Sequence, residues 1–114
     1  KTNIINIESQ IKNLSNIKSK KYINIKTGKT EFGVIAQEIQ QIYPELVSEI
    51  DYIVDDNEEA NSMKRLAVNY QGFIPILINT INEQQVMIEE LQSKVDEIEV
   101  LKQEIQMIKD MMNN

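Results

Sequence analysis

The sequence predicts an α+β protein: a small mixed head over residues 1–71, then one long helix over 72–114 that associates as a coiled coil. Three observations predict it. Before residue 70 the apolar residues switch between helical and strand spacing in short runs, each closed by turn residues. From Ile74 onward they recur in steps of three and four, once Gln84 is counted among them. The segment ahead of that helix is also short for a self-sufficient core, since domains below about 70–80 residues are marginal. Folding and association are therefore expected to be coupled.

Taken in order, Ile4, Ile7, Ile11 and Leu14 fall at helical spacing with Ile17 three further on, which predicts an amphipathic helix over about 4–17. Tyr22, Ile23 and Ile25 form an aromatic and β-branched run. Thr27-Gly28-Lys29-Thr30 is turn chemistry, and Glu31-Phe32-Gly33 starts a return strand, so a hairpin is expected. Residues 34–43 return to helical spacing, with Val34, Ile35, Ile39 and Ile42 on one side. Pro44 ends that helix, because the residue before a proline avoids helical geometry. Leu46 to Val54 reads as a strand, Asp55 to Glu59 as a charged loop, and Met63 to Val68 as the returning strand. Asn69 and Tyr70 stand at the entrance of the last helix. Pro75 requires that helix to begin near Gly72 or Phe73, so that its missing N–H falls where none is needed.

The tail places Ile74, Leu77, Ile81, Gln84, Ile88, Leu91, Val95 and Ile98 on one seam, continued by Leu101, Ile105, Ile108 and Met112. The step from Ile98 to Leu101 is three where the register asks for four, the signature of a stammer that overwinds the supercoil locally. Residues 81–112 would run roughly 48 Å as helix, too long for the flank of so small a head. An intermolecular seam is expected, with Gln84 as a polar register pin. Strand number stays open at this level: Ile81, Ile88 and Val95 with Leu91 suit a dimer, and Ile98 in a mixed seam shifts preference to a trimer.

Composition narrows the chemistry. The 114 residues carry 12 basic and 18 acidic side chains, a net charge of −6. That weighs against nucleic acid, whose affinity comes from phosphate neutralisation. Lys12, Lys18, Lys20, Lys21, Lys26 and Lys29 do cluster, as a solvated face or, alternatively, a basic patch. There is no cysteine and no histidine, so a disulfide framework, a thiolate site and a Ser-His-Asp triad are excluded. No apolar run reaches the length of a membrane span, no signal peptide opens the chain, and no cofactor is expected. A start at Lys1 rather than Met points to a fragment or a processed product.

Three further constellations invite chemistry. Glu38 and Glu45 are seven apart, an acid–base pair only if one helix ran unbroken past Pro44. Helix termination, with Gln37 as a buried polar anchor, is the expected role of that stretch. Gly28-Lys29-Thr30 copies the end of a phosphate-binding loop, but the glycine the pattern needs five positions earlier is Ile23. The Asp55–Glu59 run lacks the alternating ligands and central glycine of a calcium loop.

Two blocks carry more specific information. One is Gly33-Val34-Ile35-Ala36-Gln37-Glu38-Ile39 with Pro44-Glu45-Leu46-Val47. The other is Ala67-Val68-Asn69-Tyr70 with Phe73-Ile74-Pro75-Ile76-Leu77-Ile78. Together, in this order and ahead of a heptad tail, they resemble the C-terminal intramolecular chaperone domain of phage tailspikes and tail fibres, the peptidase S74 or endosialidase-type self-cleaving family. The likeness covers about residues 1–85.

The resemblance implies a parallel homotrimer that registers an upstream tailspike or fibre-type chain and then cuts itself off. The domain of that family opens with a Ser-Asp-x-x-x-Lys segment, and Lys1-Thr2-Asn3-Ile4 is similar to its end. Lys1 would be the general base, and the nucleophilic serine would lie five positions upstream. The sequence given lacks that serine and is expected to be inactive by itself. For Lys1 the alternative is a solvated terminus. The acidic loop would belong to a variable projection able to embrace the folding partner. A virion fibre or spike precursor assembled in the host cytoplasm is implied, with the upstream chain as partner and neither nucleic acid nor membrane. Two alternatives remain: a trimerisation or attachment tip that is never released, and the homologous self-cleaving module of membrane-anchored transcription factors.

Overall fold

A computed structural model describes residues 1–53 and 62–114. The chain forms two compact units, Lys1–Asn79 and Thr80–Asn114. The first is a small β-rich head that includes the opening turns of the long C-terminal helix; the second is the rest of that helix.

In the head, helix α1 (Ile11–Ser15) precedes a hairpin of β1 (Lys20–Ile23) and β2 (Thr30–Gly33). Helix α2 (Ala36–Ile42) and a 3-10 turn at Pro44–Leu46 lead to a second hairpin, β3 (Val47–Ile53) with β4 (Ser62–Val68). A 3-10 turn at Tyr70–Gly72 opens helix α3 (Phe73–Met112). Both hairpins are antiparallel two-stranded sheets, paired Lys20 with Gly33 through Ile23 with Thr30, and Val47 with Val68 through Ile53 with Ser62. The acidic run expected as a loop at Asp55–Glu59 lies outside the described residues.

The first turn shows why its sequence reads as a hairpin. The Asn24 side-chain oxygen accepts from the backbone N–H of Lys26 at 2.9 Å, and the Gly28 N–H donates to the Asn24 carbonyl at 2.8 Å. Gly28 sits at φ +71, where a side chain would be strained. Gly28-Lys29-Thr30 is thus a turn and the start of β2, with no phosphate-binding geometry.

The predicted helix over 4–17 shrinks to Ile11–Ser15. Asn3 takes a left-handed φ of 53, and no helix or strand covers residues 4–10. Ile4 is 80% exposed and Ile7 41%, so the first part of the apolar stripe that the spacing promised has nothing to pack against. Short helices depend on such packing more than on propensity. Gln10, at the N-cap, makes no capping hydrogen bond with its side chain.

Among the described residues the buried apolar core is Ile39, Tyr43 and Leu46, flanked by partly buried Leu14, Ile17, Val34, Ile42, Val47, Phe73 and Ile76. Helix α2 supplies Ile39. Pro44 then turns the chain so that Tyr43 and Leu46 follow it inward. The Tyr43 ring meets Phe73 edge to face, centroids 5.8 Å apart and planes at 88°, a favoured aromatic geometry. Pro75 is the third residue of α3, where no intrahelical N–H bond is lost.

Of the three glycines, Gly72 has the least room for a side chain. A β-carbon there would collide with Leu46 Cδ2. Gly72→Ala is expected to destabilise the head by about 1–3 kcal/mol, the usual cost of overpacking, read as a lower urea midpoint.

Candidate functional site: a motif junction and an exposed apolar stripe

The two sequence blocks, 33 residues apart at Val34 and Ala67, meet in space. The Asn69 N–H donates to the Leu46 carbonyl at 2.7 Å, and Val47 pairs with Val68. The Val34 N–H donates to the Tyr70 hydroxyl at 3.2 Å. Gly33 admits that hydroxyl: a β-carbon at 33 would lie 2.7 Å from Tyr70 Oη and 3.2 Å from Tyr22 Oη. Asn69 also caps the 3-10 turn, its side-chain oxygen accepting from the Gly72 N–H at 3.3 Å. Gly33, Asn69 and Tyr70 thus share one task, fastening the entrance of α3 to the head.

The N-terminal segment is tied to the same place. The Tyr43 hydroxyl donates to Gln10 Oε1 at 2.8 Å, Asn13 Nδ2 donates to that same oxygen at 3.1 Å, and Asn79 Nδ2 donates to the Glu8 carbonyl at 3.3 Å. Burial pushes the Tyr43 phenol above its ordinary 10.0, and the Glu45 carboxylate adds to this against an opposing contribution from Asn13. Tyr22 is raised as well, by partial desolvation first and then by Glu31 and Tyr70. A phenol that holds its proton more tightly when folded contributes stability present below pH 10 and lost as pH rises through the raised value. The urea midpoint of the head is therefore expected to fall above pH 10, with a shallower fall in Tyr43→Phe.

Beside the junction lies an open apolar cleft of about 510 Å³, lined among others by Leu14, Ile17, Phe32, Val34, Phe73 and Leu77. Sequence reasoning gave no sign of it. Its walls come from α1, β2 and α3, and only the fold brings them together.

In the helical unit the expected seam residues are all exposed. Ile81, Ile88, Leu91, Val95, Ile98, Leu101, Ile105 and Ile108 keep between 48% and 63% of their surface open, and Gln84 is exposed with them. Around them, Gln85 donates to Glu89, Gln92 to Asp96 and Gln106 to Asp110, each four residues on, at 3.2, 3.1 and 2.9 Å. Such pairs support a helix by a few tenths of a kcal/mol, about 0.2–0.5 each. None of them is a seam residue, so the polar stapling leaves the apolar stripe free.

The remaining candidates separate. Lys1 is exposed. Glu38 lies in α2 and Glu45 in the 3-10 turn after Pro44, so no single helix carries both. Gln37, expected as a buried anchor, is exposed; Tyr43 is the polar-tipped residue buried in that stretch. The six clustered lysines are all exposed. No group of three acidic, histidine or cysteine side chains suited to a metal occurs among the described residues, and none of their helices is long and apolar enough to cross a membrane.

Residues 1–48 match the family model Peptidase_S74, described as chaperone of endosialidase. No curated protein matches the chain. The match takes in the whole first block and stops before the second, which the Asn69, Tyr70 and Val68 contacts join to it. The segment from Lys1 to Ser48 is thus similar to a chaperone-of-endosialidase domain.

Proposed function

We propose that this chain is a C-terminal intramolecular chaperone that trimerises through α3, holds three copies of an upstream fibre- or spike-type chain in register, and is then released by serine–lysine self-cleavage. The observation that carries the reading is the uncovered heptad stripe on a 40-residue helix fastened to a segment similar to this family. Three strands rather than two follow from the family resemblance, with which the mixed seam is compatible.

Three tethered chain ends raise one another's effective concentration. That lowers the entropic barrier to nucleating an intertwined β-rich shaft, whose long-range pairings fold slowly otherwise. Release of the chaperone removes the easy path back and makes the assembled shaft kinetically stable.

In the cleavage step, the hydroxyl of a serine five positions before Lys1 attacks the carbonyl carbon of the preceding residue. A neutral Lys1 takes the hydroxyl proton and returns it to the leaving amine as the C–N bond breaks. Water then hydrolyses the resulting ester and restores the serine.

The test is the intact mass of the domain expressed with its native upstream segment, beside Lys1→Ala. Cleavage before the upstream serine in the first and an uncut Lys1→Ala chain are expected. Two uncut proteins, both oligomeric, would make this a retained attachment tip.

A further inference from the structure

The cleft beside the junction is open in the single chain, and its apolar lip is exposed: Phe32 keeps 77% of its surface. Phe73 and Leu77 form its α3 wall. Next to them, Ile78 is 54% exposed on the same helix. All three belong to the head unit, and all three have a defined place in the heptad register. With Ile74 and Ile81 at one seam position and Leu77 and Gln84 at the other, Phe73 and Ile78 occupy the two flanking positions. In a parallel coiled coil, the flanking residue before one heptad lies against the neighbour's flanking residue five further on. Phe73 and Ile78 are five apart.

Those flanks usually carry Glu and Lys, which pair across the interface in water. Here both are large and apolar. Their side chains gain from mutual burial instead.

We propose that the cleft is half of a site, and that Ile78 of a neighbouring copy completes it by packing against Phe73 at the cleft's α3 wall. The head then joins the interface directly, and the register of the helices is coupled to the packing of the head. This rests on the parallel association proposed above. It adds to it a contact outside the helical unit and names the residue that supplies the cover.

The chain contains no tryptophan, so Phe32→Trp places a unique fluorophore on the lip. Acrylamide quenching is measured for Phe32→Trp alone and with Ile78→Ala, and the mass of each sample is measured by light scattering. Ile78 is exposed in the single chain, so its truncation leaves the head's own core intact. The expected result is an oligomeric mass in both samples and a quenching constant that rises about twofold in Ile78→Ala, as water reaches the uncovered ring. Equal quenching constants in two oligomeric samples would overturn the inference and leave the trimeric chaperone reading standing. A monomeric mass for Phe32→Trp, with the unsubstituted chain monomeric as well, would overturn both.

Discussion

Leu91→Lys is expected to turn an associated protein into single chains. Leu91 sits mid-stripe, 61% exposed within one chain, so the substitution disturbs nothing the chain does for itself. In the assembly it removes an apolar side chain whose burial contributes about 1.5–3 kcal/mol per copy. It also brings like-charged ammonium groups into one shared layer, each with a desolvation cost of several kcal/mol. The effect multiplies by the number of strands. Isolated helices are marginal in water, so the helical circular-dichroism signal should fall along with the mass. The melting temperature of the unsubstituted protein should depend on concentration, and that dependence should vanish in Leu91→Lys. Ser93→Lys is the control. It is exposed, lies off both the seam and its two flanking positions, and should leave association unchanged. Equal losses from both substitutions would remove the stripe from the interface.

Ile39→Ala is expected to unfold the head. Ile39 is 1% exposed and shares the buried apolar core with Tyr43 and Leu46. Large-to-small substitutions at such sites cost about 2–5 kcal/mol, through lost transfer energy and the cavity left behind. So small a core has little margin to absorb that. The near-ultraviolet tyrosine signal reports it directly, because Tyr43 is held between this core and Phe73. A head that keeps that signal and its urea midpoint after Ile39→Ala would mean that its stability lies elsewhere. The two substitutions should also fail in different ways: Ile39→Ala through the head's own packing, and Leu91→Lys through the contact between copies.

Much of this was legible residue by residue, wherever the cause is local. Asn24 and Gly28 act within their own turn, Pro44 stops α2 by its effect on its neighbour, and the heptad spacing of α3 is a property of one helix. The strand Val47–Ile53 follows from its β-branched and aromatic content, and Ser62–Val68, with Val68 alone β-branched, follows as the return from it. What stayed hidden depends on distant partners. Ile4, Ile7 and Ile11 carry helical spacing, but spacing cannot say whether a core faces them, and for Ile4 none does. Gln37 looked like an anchor because it sits in a distinctive block, whereas Tyr43, six residues on, is the one drawn inside. Gly72 seemed a mere helix boundary until Leu46 appeared against it. Tyr70 offers a hydroxyl whose donor, Val34, lies 36 residues earlier. A signal for these contacts was present in and beside the two blocks, where the small residues Gly33 and Gly72 mark close approach by a distant side chain. It named the positions without naming the partners. The cleft had no local signature at all.

The central claim is that this chain works as an assembly held by the stripe on α3. Sedimentation equilibrium of the unsubstituted chain tests it most directly. The account predicts a mass three times the 13.2 kDa of the single chain, reversible on dilution together with helicity. A 13.2 kDa species that keeps its helical signal at every concentration would contradict it.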